Sequence, residues 1–128
     1  MNDQFPAILI LVDDDAAVLS ALKFVFEVEG FEVRAYPDGE SLLREPDFPG
    51  SGCMVLDYKL PGLNGLDLLA RVRELGVMLP AVLITTPTPA VRARAATVGV
   101  ALVEKPLLTS TLLDTVRRLL NSDTPTQP

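Results

Sequence analysis

The sequence predicts an α/β fold built on a parallel sheet. Three observations carry this. Short continuous apolar runs recur along the chain: AILILV at 7–12, CMVL at 53–56, AVLI at 81–84 and VALV at 100–103. Segments with apolar residues at helical spacing separate them. Clusters of Gly, Pro, Asn and Asp stand at the junctions. Unbroken apolar runs read as strands buried on both faces, and strands alternating with helices are connected by right-handed crossovers.

Ala7 to Val12 is the first strand, and it turns acidic at Asp13, Asp14 and Asp15. Val18, Leu22, Val25 and Val28 mark the first helix, which Gly30 stops. Phe31 to Tyr36 alternates apolar and polar, as a half-exposed edge strand does. Pro37, Asp38 and Gly39 make a turn, with Asp38 as N-cap of a short helix through Leu42 and Leu43. After a loop from Pro46 to Gly52, Cys53 to Leu56 is a buried strand ending at Asp57. Pro61, Gly62, Asn64 and Gly65 form a long turn. Asn64 followed by Asp67 resembles a capping box for a helix marked by Leu68, Leu69, Val72 and Leu75 and closed near Gly76.

Ala81 to Ile84 is the next strand, ending at Thr85. Thr88 as N-cap and Pro89 at the first helical position open a helix whose apolar face is Val91, Ala95 and Val98 and whose end is Gly99. Val100 to Val103 is the last strand, followed by Glu104, Lys105 and Pro106. Leu112, Val116, Leu119 and Leu120 mark the final helix. The domain is expected to span 1–121. The polar segment from 122 to 128 reads as a disordered tail or the start of a linker.

A chain of 128 residues, 48% of them hydrophobic, suits one domain with its own core. The net charge of −6 argues against nucleic-acid binding by this domain. No stretch has the apolar length of a membrane span, and Met1 to Ala7 lacks the pattern of a signal peptide. A single cysteine, Cys53, excludes an internal disulfide and reads as a small buried apolar residue. A cytoplasmic protein is the expectation. The absence of histidine excludes His-based acid–base catalysis, His metal ligands and phosphohistidine within this chain.

In a parallel sheet the residues following each strand gather at one edge, where α/β sheets bind ligands. Here they are Asp13 and Asp14, Asp57, Thr85 and Lys105. Adjacent carboxylates stay ionised only beside a compensating cation. An oxygen-only cluster suits a hard ion such as Mg²⁺, with positions left for phosphoryl oxygens. Lys105 adds a positive charge and Thr85 a hydroxyl. A carboxylate nucleophile, a metal and charge compensation are the parts that phosphoryl transfer needs.

Taken singly, each residue has an ordinary reading. The Asp13–Asp15 run caps a helix N-terminus, with Asp15 a cap or solvated charge rather than a ligand. Asp57 is a turn residue, Lys105 a surface lysine and Thr85 a strand residue. Tyr58 sits on a site rim, and Arg71, Arg73, Arg92 and Arg94 are solvated helix faces.

Together the pieces VDDD, LDYKLPGLNG, LIT and EKP, in this order and spacing, resemble the receiver (response-regulator) domain of two-component signalling systems. The resemblance covers about Ala7 to Leu120 and lies within the CheY-like superfamily, nearest to FixJ- and NodW-like receivers. It implies a flavodoxin-like (βα)5 three-layer sandwich with strand order 2-1-3-4-5. It implies Asp57 as phosphoacceptor and Asp14 as a direct metal ligand, assisted by Asp13. It further implies the Lys59 carbonyl as another ligand to Mg²⁺, and Thr85 and Lys105 on the phosphoryl oxygens. The Lys105–Pro106 peptide would be cis. The donor would be a phosphohistidine on a sensor histidine kinase, the consequence control of an output domain or partner, and homodimerisation a response to phosphorylation. Such a domain catalyses at most its own phosphorylation and dephosphorylation.

Two features depart from the family. Leu102 stands where an aromatic residue is usual, which puts the threonine–aromatic coupling in doubt. The segment Thr86-Pro87-Thr88-Pro89 stiffens the loop after Thr85 and looks about two residues short, so a less mobile fourth helix is expected. These departures leave room for a degenerate receiver acting only as an interaction module. A third reading is enzymatic. Asp13-x-Asp15 resembles the DxD nucleophile motif of haloacid-dehalogenase-type phosphohydrolases, although the chain is short for one.

Overall fold

The structure is a computed structural model that describes residues 7–105 and 107–122. Strands and helices alternate throughout: β1 (Ile8–Val12), α1 (Ala16–Val28), β2 (Glu32–Tyr36), α2 (Gly39–Leu43) and β3 (Cys53–Asp57) come first. They are followed by α3 (Gly65–Glu74), β4 (Ala81–Thr85), α4 (Pro89–Val98), β5 (Ala101–Glu104) and α5 (Thr109–Ser122). The five strands form one sheet, every pairing parallel, in the order β2-β1-β3-β4-β5. β2 is an edge strand, as its alternation predicts, while β3 and β4 are buried along their whole length.

Successive strand residues point to opposite faces, and this divides the core in two. Ile10, Val12, Met54, Leu56, Ala81 and Leu83 pack with Leu42 of α2, Leu66, Leu68, Leu69 and Val72 of α3, and Val91 of α4. Leu9, Leu11, Cys53, Val55, Val82 and Ile84 pack on the other face with Leu22 and Phe26 of α1 and Leu112 and Val116 of α5. The result is a three-layer sandwich of helices, sheet and helices. Cys53 is fully buried in it, as expected of a small apolar residue.

Helix boundaries follow local chemistry. Asp15 caps α1 by accepting from the N–H groups of Ala17 and Val18. Asp38 caps α2 from Ser41, Asn64 caps α3 from Asp67, and Thr88 caps α4 from Val91 with Pro89 at the first turn. Gly99 ends α4 at φ 75°, a left-handed conformation that glycine adopts without steric cost.

The faces of three helices differ from the sequence reading. In α1 the buried residues are Leu22 and Phe26, while Val28 is 67% exposed. At about 100° per residue, Val28 lies roughly 120° around the helix from Leu22, whereas Phe26 lies about 40° away. Phe26 also meets Phe31 edge-on, with centroids 5.2 Å apart. Leu75 follows α3 as its C-cap and Val98 is the last residue of α4; both are exposed. The final helix runs through Ser122, and the rest of the expected tail lies outside the described residues.

Candidate functional site

Register and alternation decide which strand-end side chains meet. On β1 the row Leu9, Leu11 faces the α1–α5 layer, and Asp13 continues it. On β3 the row Cys53, Val55 faces the same way, and Asp57 continues that. Leu9 pairs with Cys53 and Leu11 with Val55, so the two rows are neighbours. Asp13 and Asp57 therefore leave the sheet side by side. Asp14 follows in the chain, and carboxylate oxygens of Asp13, Asp14 and Asp57 lie within 4.8 Å of one another.

Asp57 is buried, at 4% exposure. The Lys105 ammonium lies 3.2 Å from its Oδ1. This is an ion pair without hydrogen-bond alignment, and among the described residues Oδ1 is the one buried side-chain oxygen or nitrogen atom lacking a hydrogen bond. Lys105 reaches it because β5 pairs with β4 and the Lys105 N–H donates to the Thr85 carbonyl at 2.9 Å. Burial pushes the Asp57 carboxyl above its ordinary value; Lys105 opposes the shift and Asp14 adds to it. Burial likewise raises Asp13, opposed by the Asp15 N–H donated to its Oδ1 at 2.9 Å, with the repulsion of Asp57 and Asp14 adding.

A cleft of about 490 Å³ opens over this cluster, lined by Asp13, Asp14, Asp57, Lys59 and Lys105 with apolar walls from Val18, Ile84 and Leu107. Thr85 is not among its walls. Ala81 and Leu83 point to the α2–α3–α4 layer, so Thr85, two residues on, points there too. It lines an adjoining cavity of about 410 Å³ with Tyr58, Thr86, Thr88 and Val91, and Lys59 and Lys105 border both spaces. The strand-end residues thus gather at one edge as expected, but on two sides of the sheet. Tyr58 is half-buried at the rim. Pro106, and with it the expected cis peptide, lies outside the described residues.

The donor set fits a hard divalent cation. It is all oxygen, two of its three carboxyls are held above their ordinary pKa, and one buried oxygen lacks a hydrogen bond. Asp15 is occupied as the α1 cap, in keeping with its reading as a cap.

Other expectations change in detail. The Asn64 side chain accepts from the Asp67 N–H at 2.8 Å, but the Asp67 carboxylate accepts from Arg94 at 2.8 Å instead of closing a capping box. Arg92 pairs with Glu104 at 2.6 Å, so α4 is tied to both α3 and β5 by arginines expected to be merely solvated. Leu102 packs inward against the α2–α3–α4 layer. Sequence reasoning took Gly65 for a turn residue and missed its close approach to β3. No local signal marks that approach, because it is a contact with the Asp57 carbonyl and Leu83 made only in the folded chain.

Comparison with known proteins identifies the family and the fold. Residues 9–117 match the family described as response regulator receiver domain. The chain is 34% identical over 85 residues to the response regulator protein TmoT of Ectopseudomonas mendocina, covering 66% of this chain and 38% of that protein. It is 32% identical over 77 residues to the transcriptional regulatory protein FixJ of Bradyrhizobium diazoefficiens, covering 60% of this chain and 38% of that protein. It thus spans well under half the length of these relatives. A receiver domain protein (CheY-like) from Methanospirillum hungatei superposes with a TM-score of 0.83 at 26% identity, over 91% of this chain and 95% of that one.

Proposed function

The chain belongs to the response regulator receiver family, and from that premise we propose that Asp57 is its phosphoacceptor in an Mg²⁺-dependent reaction. The carrying observation is a buried carboxylate that shares a 4.8 Å cluster with two others and lies 3.2 Å from an ammonium. Asp13, Asp14, Asp57 and the Lys59 backbone carbonyl hold the metal. When bound, Mg²⁺ neutralises the cluster and the charge of the phosphoryl oxygens.

A buried carboxylate with a raised pKa is a poor nucleophile while protonated. Compensating charge around it favours the ionised form that attacks phosphorus. One Asp57 oxygen bonds to phosphorus as the donor's phosphohistidine P–N bond breaks, and an acyl phosphate remains on Asp57. Lys105, now facing phosphoryl oxygens rather than the free carboxylate, stabilises the product. The Thr85 hydroxyl is recruited across the sheet edge from the α4 side, which couples the acceptor to α4. The domain spans 1–121, acts in the cytoplasm as a phosphoacceptor and not on a substrate in trans, and binds no nucleic acid. Its donor is a sensor histidine kinase. Its consequence is a conformational change read by an output domain or partner protein, with homodimerisation of phosphorylated chains.

Treatment with acetyl phosphate and Mg²⁺ followed by intact-mass spectrometry tests this. Wild type is expected to gain one phosphoryl group, and Asp57→Asn none. An unlabelled wild type would favour the phosphorylation-independent interaction module. Label on Asp13 with turnover of a phosphate ester would favour the phosphohydrolase.

A further inference from the structure

We infer that Gly65, the first residue of α3, is a positioning residue for the acceptor, an inference that rests on the phosphoacceptor reading above. Its N–H donates to the Tyr58 carbonyl at 2.8 Å and so closes the loop 58–64, which carries Lys59. Glycine is not needed there for its conformation, since Gly65 is absent from the positive-φ glycines, which are Gly30, Gly52, Gly62, Gly76 and Gly99. Space requires it. A Cβ at Gly65 would stand 2.6 Å from the Asp57 carbonyl oxygen, 2.6 Å from Leu83 Cδ1 and 3.1 Å from Tyr58 Cα.

The Leu83 side chain can rotate away from such a contact. The Asp57 carbonyl cannot, because its peptide joins the acceptor to Tyr58, whose N–H is held by the Ile84 carbonyl at 2.9 Å. Any added atom therefore pushes α3 off the strand end or moves the Asp57–Tyr58 peptide. Either displacement shifts the acceptor carboxylate and the Lys59 carbonyl relative to Asp13 and Asp14. Gly39 is the contrast: a Cβ there meets only the Leu68 side chain, at 3.1 Å and nearer its flexible end. Gly65 thus sets the distance between α3 and the acceptor's own backbone, and with it the geometry of the metal donors.

The test compares Mg²⁺ affinity by calorimetry with unfolding stability in wild type, Gly65→Ala and Gly39→Ala. Gly65→Ala is expected to bind Mg²⁺ at least about tenfold more weakly, the scale for groups that orient metal ligands. Gly39→Ala is expected to lose stability while keeping wild-type affinity. If Gly65→Ala does not fold, Asn64→Ala decides the matter. It adds no atoms but releases the first turn of α3, and its expected loss of affinity is about fivefold, the equivalent of one helix cap. Wild-type affinity in folded Gly65→Ala, or in Asn64→Ala where it must decide, overturns the inference while the phosphoacceptor reading stands. A wild type that neither binds Mg²⁺ nor takes the phosphoryl label overturns both.

Discussion

Replacing Asp13 by Asn should make the metal-free protein more stable and the metal-saturated protein less stable than wild type. The swap is nearly isosteric, and the Asn oxygen can still accept the Asp15 N–H that Asp13 holds at 2.9 Å. What it removes is charge. Two unit charges at the 4.8 Å limit of the cluster repel by about 0.9 kcal/mol in water and about 3.5 kcal/mol at an effective dielectric of about 20. The pair with exposed Asp14 belongs near the lower figure and the pair with buried Asp57 nearer the upper. Lost attraction to Lys105 and a weaker bond from Asp15 offset part of this. A net gain of about 1–2 kcal/mol in EDTA is expected, since a hydrogen bond to a charged group exceeds a neutral one by about 1 kcal/mol. In Mg²⁺ at about 100 times its dissociation constant, wild type should gain about 2.7 kcal/mol, and the variant much less. Urea unfolding in EDTA and in Mg²⁺ measures both effects. The pH dependence has a definite sign. Asp13 and Asp57 have folded pKa values raised above 3.8, so the folded state binds more protons. Their contribution is greatest below that value, is lost as pH rises through the folded values, and is flat beyond. Asp13→Asn should flatten this fall. A variant less stable than wild type in EDTA, or equally stabilised by Mg²⁺, would refute the reasoning.

Tyr36 donates its hydroxyl to Glu45 at 2.6 Å, and burial, reinforced by that carboxylate, pushes its pKa up to about 12. Ultraviolet titration should therefore show a late tyrosinate phase that Glu45→Gln moves partway back toward 10; no late phase in wild type counts against it. Thr88→Ala removes the acceptor for the Val91 N–H at 3.2 Å and should lower stability by about 1 kcal/mol, read by urea unfolding, with a loss near zero showing that Pro89 alone fixes the start of α4. With a phosphoryl mimic and Mg²⁺ bound, Leu102 should keep its inward packing and α4 its arginine pairs; a large repacking of Leu102 in a crystal structure would show that leucine serves the role usual for an aromatic residue.

How much of this was legible in the sequence follows from the range of the forces involved. Strands buried on both faces must be apolar throughout, so AILILV, CMVL and AVLI announced themselves, and the residues that follow them, Asp13, Asp57 and Thr85, meet at one edge of the sheet. Asp15, Asp38, Asn64 and Thr88 cap neighbours two or three residues away, and so local sequence revealed them. The phase of α1 was lost because apolar spacings of three residues drift around a helix, so Val28 looked like a core residue where Phe26 is one. Gly65 was opaque for a different reason. Its constraint is a contact with the Asp57 carbonyl and with Leu83, eighteen positions on, and no local pattern encodes that.

The two-sidedness of the site, which the sequence reading did not draw, is its most consequential feature. Counting by twos along β1, β3 and β4 puts Asp13 and Asp57 over the α1–α5 layer and Thr85 over the α2–α3–α4 layer. Lys59 and Lys105 border both spaces, and Glu104, beside Lys105 in the chain, grips Arg92 of α4. A charge added at Asp57 would therefore act on groups from both layers at this edge, where Lys59 and Lys105 border both spaces. A perturbation confined to one face, such as loss of the Thr88 cap, should alter the response of α4 while leaving Mg²⁺ affinity intact. A change at Lys105 should alter both. That difference separates a switch that spans the sheet edge from a metal site that merely happens to lie near a helix.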